Sequence, residues 1–230
     1  MQEQVSLSIN GAILKAPKGA YILDVALGYG ICIPHLCYLP TMSGFGGCRL
    51  CIVEVGKGSK TKVTTSCTLE AKEGMVIHAH SEKILKARRN IAEMLVAEAP
   101  NSRAIQDIAV RCGVKNVRYP FRHKNCVLCG RCVRACSELW QSKSLGFVGR
   151  GQERRVALPF DKRPEYCKQC HDCINLCPML ITPCDGPMKE GESRLCGKCE
   201  SQLSMAEGMD DSCVHCRLGE GFSCARTRGI

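Results

Sequence analysis

The feature that most constrains this chain is a cysteine run that occurs twice. Two copies of the spacing C-x2-C-x2-C-x3-C are present: Cys126, Cys129, Cys132 and Cys136, and Cys167, Cys170, Cys173 and Cys177. Three cysteines at this spacing can wrap one [4Fe–4S] cubane, because the turn directs successive thiolates toward a common centre. The fourth cysteine lies too far along the chain to close the same turn, so it is expected to bind the other cluster.

The predicted ligand sets are therefore crossed. One [4Fe–4S] cluster would be bound by Cys126, Cys129, Cys132 and Cys177, and the other by Cys167, Cys170, Cys173 and Cys136. Two zinc sites are the alternative, but zinc needs only paired C-x2-C knuckles and would leave cysteines over. A disulfide framework is typical of short secreted chains, whereas the start, MQEQVSLSIN, has no secretory signal. Metal-bound thiolates in a reducing, cytoplasmic compartment are predicted.

A second cysteine set has the spacing C-x10-C-x2-C-x15-C and consists of Cys37, Cys48, Cys51 and Cys67. The first three lie on a long loop that ends in the glycine-rich segment SGFGGCRLC. Glycines allow the backbone to approach a cluster and to direct N–H groups at its sulfurs. Four thiolates from one loop and one remote strand suit a planar [2Fe–2S] cluster. A structural zinc is the alternative, although zinc more often uses two knuckles.

A third set lies near the C-terminus, with the spacing C-x2-C-x13-C-x2-C, and consists of Cys196, Cys199, Cys213 and Cys216. Two knuckles at this distance favour a zinc ribbon, and a further [4Fe–4S] cluster is the alternative. Reduced thiols are the third possibility. Four cysteines remain outside all sets and are expected to behave as small apolar residues: Cys32, Cys112, Cys184 and Cys224.

The formal net charge of +10 does not by itself indicate a nucleic-acid-binding protein. That count treats cysteines as neutral, whereas an oxidised cluster with its four thiolates adds about −2. Three such sites reduce the charge to about +4, and the basic residues are scattered rather than gathered into one stripe. No apolar run approaches the length of a membrane span. Neither a nucleic acid nor a membrane span is therefore predicted.

The first eighty residues have the pattern of a small mixed domain. Apolar and polar residues alternate over 5–9, as in a half-buried strand, and Asn10-Gly11 is the strongest short signal of a tight hairpin turn. A second strand over 12–16 and a helix over 21–29 are predicted next. Further strands are expected over 51–55, 62–66 and 75–79. A hairpin followed by a helix and then by further strands is the order of elements in a β-grasp domain.

Residues 81–110 have a helical pattern that is interrupted at Pro100, where Asn101-Ser102 provides the cap of a second helix. The charge run KILKARR at 83–89 is expected to form a solvated helix face, or else a face that docks an acidic partner. The predicted fold class is α+β. Its parts are a β-grasp [2Fe–2S] domain (1–80), a helical connector (81–118), a two-cluster [4Fe–4S] domain (119–184), and a linker with a small cysteine-rich metal knuckle (185–230).

The two-cluster part resembles bacterial two-cluster ferredoxins, with Ser137 in place of a frequent proline and a long insertion before Cys167. The segment IPHLCYLPTMSGFGGCRLCIVEV resembles the N-terminal ferredoxin of the large iron–sulfur subunit of respiratory complex I. The same module begins the diaphorase iron–sulfur subunit of NAD-reducing hydrogenases and the iron–sulfur subunit of electron-bifurcating hydrogenases. This resemblance covers residues 1–184 in the same order.

One site of that family is missing. The helix ARRNIAEMLVAE matches the helix that precedes the family's H-x3-C-x2-C-x5-C cluster site. In this chain the next stretch, APNSRAIQDIAVRCGV, has no histidine and a single cysteine, Cys112. The histidine-ligated cluster of the family is therefore expected to be absent.

The resemblance implies an electron-transfer subunit of a soluble NAD(P)H-linked oxidoreductase, of which electron-bifurcating enzymes are one type. The implied partners are an NAD(P)H-oxidising flavoprotein subunit, a small [2Fe–2S] subunit and a terminal low-potential oxidoreductase. The sequence contains no nucleophile–base pair, phosphate-cradling loop or flavin fingerprint, so the chain itself is expected to make no bonds. A free-standing ferredoxin-like shuttle is the alternative, and a cluster-based sensor is a third class.

Overall fold

The structure is a computed structural model that describes residues 3–58, 60–124, 126–161, 164, 167–170, 172–179, 193–195, 202–205 and 222–224. The chain divides into two compact units, residues 1–96 with 107–120 and residues 97–106 with 121–230. Within the described residues, no helix is long and apolar enough to cross a lipid bilayer.

A five-stranded mixed sheet forms the first unit. Its strands are β1 (Gln4–Ile9), β2 (Ala12–Pro17), β3 (Ile52–Lys57), β4 (Lys60–Thr65) and β5 (Val76–His78). Their order is β2-β1-β5-β3-β4, with β1 parallel to β5 and the other neighbours antiparallel. Asn10 and Gly11 close the β1–β2 hairpin with φ angles of 51° and 87°, which these two residue types adopt most readily. The predicted hairpin is confirmed.

The core of this unit lies between the sheet and a short helix, α1 (Ile22–Gly28). Alternate side chains of β1 are buried, as the period of a strand with one covered face requires. Four residues of α1 join the same apolar cluster: Ile22, Leu23, Val25 and Ala26. Cys51, immediately before β3, and Cys67, soon after β4, belong to this cluster as well. The core therefore fixes two of the predicted ligands directly.

Two further helices, α2 (Glu82–Glu98) and α3 (Arg103–Arg111), follow the sheet. The hydroxyl oxygen of Ser81 accepts the Ile84 N–H at 3.3 Å and so caps the start of α2. The same hydroxyl donates to Glu54, which ties the helix start to β3. Pro100 lies between the two helices, so the predicted break is confirmed.

Helix α2 buries two charged residues. Arg88 is only 2% exposed and lies one turn after the buried Ile84, so the expectation of a solvated face over 83–89 is wrong at this position. Glu93 is 4% exposed, and its carboxylate accepts hydrogen bonds from the Arg118 backbone N–H at 2.6 Å and from Arg118 Nη2 at 2.7 Å. These Arg118 donors hold the pKa of Glu93 below its usual value.

The second unit is built from short elements. They are α4 (Arg131–Glu138), β6 (Gly146–Val148), β7 (Arg155–Ala157), α5 (Cys167–Cys170), α6 (Asp172–Asn175), β8 (Ser193–Leu195), β9 (Gln202–Met205) and β10 (Phe222–Cys224). The insertion between the two cysteine runs contains the antiparallel β6–β7 pair. Leu145 and Leu158 flank this pair and are buried with Cys132 in a small core. Strands β8, β9 and β10 form an antiparallel sheet in the order β10-β9-β8.

Candidate cluster-binding sites

The structure brings together the four cysteines of the predicted [2Fe–2S] site. Cys37, Cys51 and Cys67 are fully buried, and Cys48 is half-buried. Their thiols are hydrogen-bonded in pairs: Cys48 with Cys37, Cys37 with Cys67, and Cys67 with Cys51. Among the described residues, no three histidine, cysteine or carboxylate side chains surround one point as ligands of a single metal ion. The four sulfurs instead form a continuous series of contacts.

These hydrogen bonds lower the pKa of two of the four thiols and raise the pKa of the other two. Hydrogen bonds from Cys48 and Cys67 lower the pKa of Cys37 to about 2, and a hydrogen bond from Cys67 lowers the pKa of Cys51 to about 7. The pKa values of Cys48 and Cys67 are raised, chiefly by their hydrogen bonds to Cys37 and then by other contacts and burial. Two sulfurs therefore hold negative charge readily, while the other two must release protons when a metal binds.

Glycines allow the loop before Cys48 to lie close to the chain that carries Cys67. A Cβ atom at Gly44 would lie 2.1 Å from the carbonyl oxygen of Cys67, and Gly46 has a φ of 68°, which L side chains rarely adopt. The Cys48 N–H donates to the Cys37 sulfur, with an N–Sγ distance of 3.4 Å, and such donors stabilise metal-bound thiolates. Four mostly buried sulfurs in a continuous series of contacts, with an amide donor beside one of them, fit the ligand chemistry of a [2Fe–2S] cluster.

Cys177, from the second cysteine run, lies near Cys129 and Cys132 of the first run. Burial is the main cause that raises the pKa of Cys129, to about 12, and of Cys132. The charges of Cys177 and Cys126 raise both pKa values further. Cys132 and Cys177 are themselves buried. This group contains the four residues of one crossed ligand set, and its chemistry of four cysteine sulfurs fits a [4Fe–4S] cluster.

The sulfur of Cys136 is approached by donors from the turn that follows α4. The backbone N–H groups of Ser144 and Leu145 donate to it at 3.2 and 3.4 Å, and the Ser142 hydroxyl lies 3.0 Å away. This turn is also held by the Cys136 carbonyl oxygen, which accepts the Ser142 N–H at 3.0 Å. The sequence does not indicate these donors, because a serine after a helix has no spacing that marks it as a partner of sulfur.

Cys136 shares a packing environment with members of the second run. Cys136, Cys167 and Cys173 all lie against the small core of Leu145 and Leu158, and Cys170 is half-buried. This arrangement agrees with the second crossed set, which stays a prediction. The C-terminal set, Cys196, Cys199, Cys213 and Cys216, lies outside the described residues.

The cysteines outside the sets differ in exposure. Cys112, which follows α3, is half-buried and Cys32 is exposed. Burial raises the pKa of Cys112, as for a thiol packed like a small apolar residue. Cys184 lies outside the described residues.

Comparisons with known proteins identify two iron–sulfur domains. Residues 2–82 match the family described as a 2Fe-2S iron-sulfur cluster binding domain, and residues 121–181 match the 4Fe-4S dicluster domain. NADPH-Fe(3+) oxidoreductase subunit alpha of Geobacter sulfurreducens is 29% identical over 199 residues, which cover 76% of this chain and 23% of that protein. The mitochondrial NADH-ubiquinone oxidoreductase 78 kDa subunit of Candida albicans is 26% identical over 203 residues, which cover 76% of this chain and 28% of that protein.

This chain thus spans about a quarter of the length of these two curated relatives. Among solved structures, a chain of an NAD+-reducing [NiFe]-hydrogenase in the H2-reduced state is 30% identical, with a TM-score of 0.58. The match covers 67% of this chain and 74% of that chain. The chain belongs to the family of iron–sulfur subunits that includes the 78 kDa subunit of NADH-ubiquinone oxidoreductase and the corresponding chain of NAD+-reducing [NiFe]-hydrogenase.

Proposed function

We propose that this chain is the iron–sulfur electron-transfer subunit of an NAD(P)H-linked oxidoreductase complex. The observation that carries the proposal is that cysteines from distant parts of the chain lie close together in two groups, one around Cys37 and one around Cys129. These groups lie in segments that match a 2Fe-2S domain and a 4Fe-4S dicluster domain. The names of the relatives, which refer to NADPH, NADH and NAD+, support this class of complex.

The proposed cofactors are one [2Fe–2S] cluster, two [4Fe–4S] clusters and a further zinc ion or [4Fe–4S] cluster. Cys37, Cys48, Cys51 and Cys67 would bind the first. The crossed sets would bind the two cubanes, and the position of Cys177 beside Cys129 and Cys132 supports the crossing. The fourth site, at Cys196, Cys199, Cys213 and Cys216, rests on its spacing alone.

The proposed domains are 1–80, 81–118, 119–184 and 185–230. The order of the five strands, together with α1, supports a β-grasp fold for the first domain. The match of 2–82 and the start of α2 at Glu82 support its boundary. The match of 121–181 supports the two-cluster domain.

In this function the residues of the chain bind and shield the cofactors. When bound, the clusters supply reversible one-electron chemistry. The cysteines provide thiolate ligands, and the apolar core around Cys51 and Cys67 excludes water from the first site. Backbone N–H groups, such as that of Cys48 toward Cys37, stabilise the charge on the sulfurs. We assign no bond-making role to any residue.

The proposed partners are a flavoprotein subunit that oxidises NADH or NADPH, a small [2Fe–2S] subunit and a terminal low-potential oxidoreductase. The proposed location is the cytoplasm. The family's histidine-ligated cluster site has no counterpart in this chain, because its stretch of 99–114 contains a single cysteine and no histidine.

Anaerobic purification of the native protein tests this function. The chain should co-elute with a flavin-containing subunit on size exclusion, and NADH or NADPH should then bleach the visible absorption of its clusters. Elution of the chain alone, with clusters that a separate ferredoxin-dependent enzyme reduces, would support the shuttle instead. A chain that neither co-elutes with flavin nor binds iron would contradict both functions.

A further inference from the structure

Arg88 is the most deeply buried charged side chain described in the first unit, at 2% exposure. Its Nε donates to the Leu50 carbonyl oxygen at 2.9 Å, and its Nη2 donates to the carbonyl oxygens of Ile52 at 2.8 Å and Ala79 at 3.1 Å. Leu50 and Ile52 are the two neighbours of Cys51. The guanidinium group therefore holds the backbone on both sides of one predicted cluster ligand.

These three carbonyl groups are neutral, so they leave the charge of Arg88 uncompensated. No ion pair found among the described residues includes Arg88, whereas the other buried or half-buried charges of α2, Glu93 and Glu98, each have a basic partner. In the part of the chain that the structure describes, the groups whose negative charge would stabilise the protonated guanidinium are cysteines, namely Cys112, Cys51 and Cys32. A buried charge without a compensating partner is strongly unfavourable, and arginine does not lose its proton in proteins.

We propose that Arg88 is the fixed positive countercharge of the [2Fe–2S] site. With four thiolates the oxidised site has a net charge of about −2, and the site reduced by one electron about −3. A buried cation beside Cys51 stabilises both the oxidised and the reduced site. It stabilises the reduced site more, because the interaction energy grows with the negative charge of the site and is poorly screened in the interior. Arg88 therefore raises the reduction potential of this site. This inference rests on the proposed function, which supplies the cluster.

Arg88 acts here as a positioning and electrostatic residue, since its hydrogen bonds also hold the loop of Cys51. The two roles are separable because only Nε and Nη2 donate to the carbonyl groups. Citrulline at position 88 retains an N–H at the Nε position and one NH2 group while it removes the charge. Arg88→Lys does the opposite: it keeps the charge and loses the planar fork of donors.

The experiment is a redox titration of the full chain with reconstituted clusters, followed by the electron paramagnetic resonance signal of the reduced [2Fe–2S] cluster. We expect Arg88→Gln and citrulline at position 88 to shift the midpoint potential to more negative values. Arg88→Lys should stay closer to the wild-type potential. Arg89→Gln, which removes the same charge from the neighbouring, more exposed position on the same helix, should leave the potential unchanged because solvent screens that charge.

Each outcome bears on the inference. An unchanged potential in the citrulline and Arg88→Gln proteins, with the signal intact, would overturn it, whatever the change in thermal stability. If the citrulline protein folds but binds about two irons fewer than the wild type, the charge is needed for cluster binding and the inference stands. If the wild-type chain itself shows no [2Fe–2S] signal after reconstitution, the proposed function fails before the role of Arg88 is tested.

Discussion

At the scale of single residues, backbone N–H groups approach a cysteine sulfur in each of the three predicted cluster sites. The Cys48 N–H donates to Cys37 and the Leu128 N–H to Cys126, both at 3.4 Å. The Ser144 N–H donates to Cys136 at 3.2 Å. Such donors stabilise metal-bound thiolates, so in each predicted site the folded backbone presents an N–H group to one of the proposed ligands.

The crossed assignment predicts that Cys136→Ala damages a cluster outside its own run. We expect the [4Fe–4S] signal of the set with Cys167, Cys170 and Cys173 to be lost, because three thiolates hold that cubane less well than four. The other cubane should remain, as judged by electron paramagnetic resonance of the reduced protein. Cys112→Ala, which removes a cysteine outside all sets, is the control and should keep every signal. Loss of the cluster of Cys126, Cys129 and Cys132 instead would contradict the crossing.

At the scale of elements, the glycine-rich loop and helix α2 shape the first site. The loop lies against the backbone at Cys67, and α2 directs its buried Arg88 to the carbonyl oxygen of Ile52, the first residue of β3. Beside the ligands, the loop contributes closely packed backbone and α2 contributes the guanidinium group of Arg88. Their fit therefore depends on close backbone approach and on hydrogen bonds to buried carbonyl groups.

Gly44→Ala is expected to disrupt the [2Fe–2S] site. Its new Cβ would lie 2.1 Å from the Cys67 carbonyl oxygen, so the loop or the chain at Cys67 must move. Overpacking of this kind costs about 1–3 kcal/mol, and iron content should fall by about two atoms per chain. Gly28→Ala is the matched control, since nothing lies within 4 Å of its Cβ position. Full iron occupancy in Gly44→Ala would show that the loop can yield without loss of the cluster.

The buried Glu93 is expected to make stability depend on acid pH. Because hydrogen bonds from Arg118 lower its pKa in the folded chain, Glu93 contributes stability above the unfolded value of about 4.3, and this contribution is lost as pH falls through the folded pKa. Glu93→Gln should therefore lower the thermal midpoint at pH 7, and the difference from wild type should narrow toward pH 4.

Thermal unfolding at several pH values measures this difference. Glu82→Gln, at the exposed start of the same helix, is the control and should change the midpoint little. A Glu93→Gln protein as stable as wild type at pH 7 would mean that the carboxylate charge contributes nothing beyond what the amide retains.

At the scale of the whole molecule, this chain is rich in cysteine and poor in large apolar side chains. It has 20 cysteines, one tryptophan and 5% aromatic residues. One described core of the second unit consists of Cys132, Leu145 and Leu158. Because this described core has few apolar groups, cluster binding is expected to contribute to the folding free energy of the segments that pack against it.

The three proposed clusters predict about ten iron atoms per fully loaded chain, or about fourteen if the C-terminal set binds a cubane. Anaerobic metal analysis with sulfide determination measures this number. About one zinc beside ten irons would assign the C-terminal site to zinc. Six or fewer irons in fully loaded protein would contradict the assignment of three clusters.

Several elements of the first 110 residues could be predicted because their signals are local. The Asn10-Gly11 turn, the helix predicted over 21–29 and the break at Pro100 each depend on neighbouring residues. All three are present in the structure, the helix as Ile22–Gly28. The β6–β7 pair in the insertion before Cys167 was not predicted. Its strands have three residues each, too few to show a period of two.

The cysteine spacing predicts which residues would bind each cluster, because the reach of one turn limits which thiolates can meet at a common centre. The strand order and the N–H donors around Cys136 could be read only from the folded chain, because they depend on contacts between segments that carry no shared sequence pattern. Arg88 is the clearest case. Because Arg88 lies in a run of basic residues, the sequence pattern predicts that it is exposed to solvent. In the structure it is buried, and its guanidinium group donates to three carbonyl oxygens from other segments of the chain.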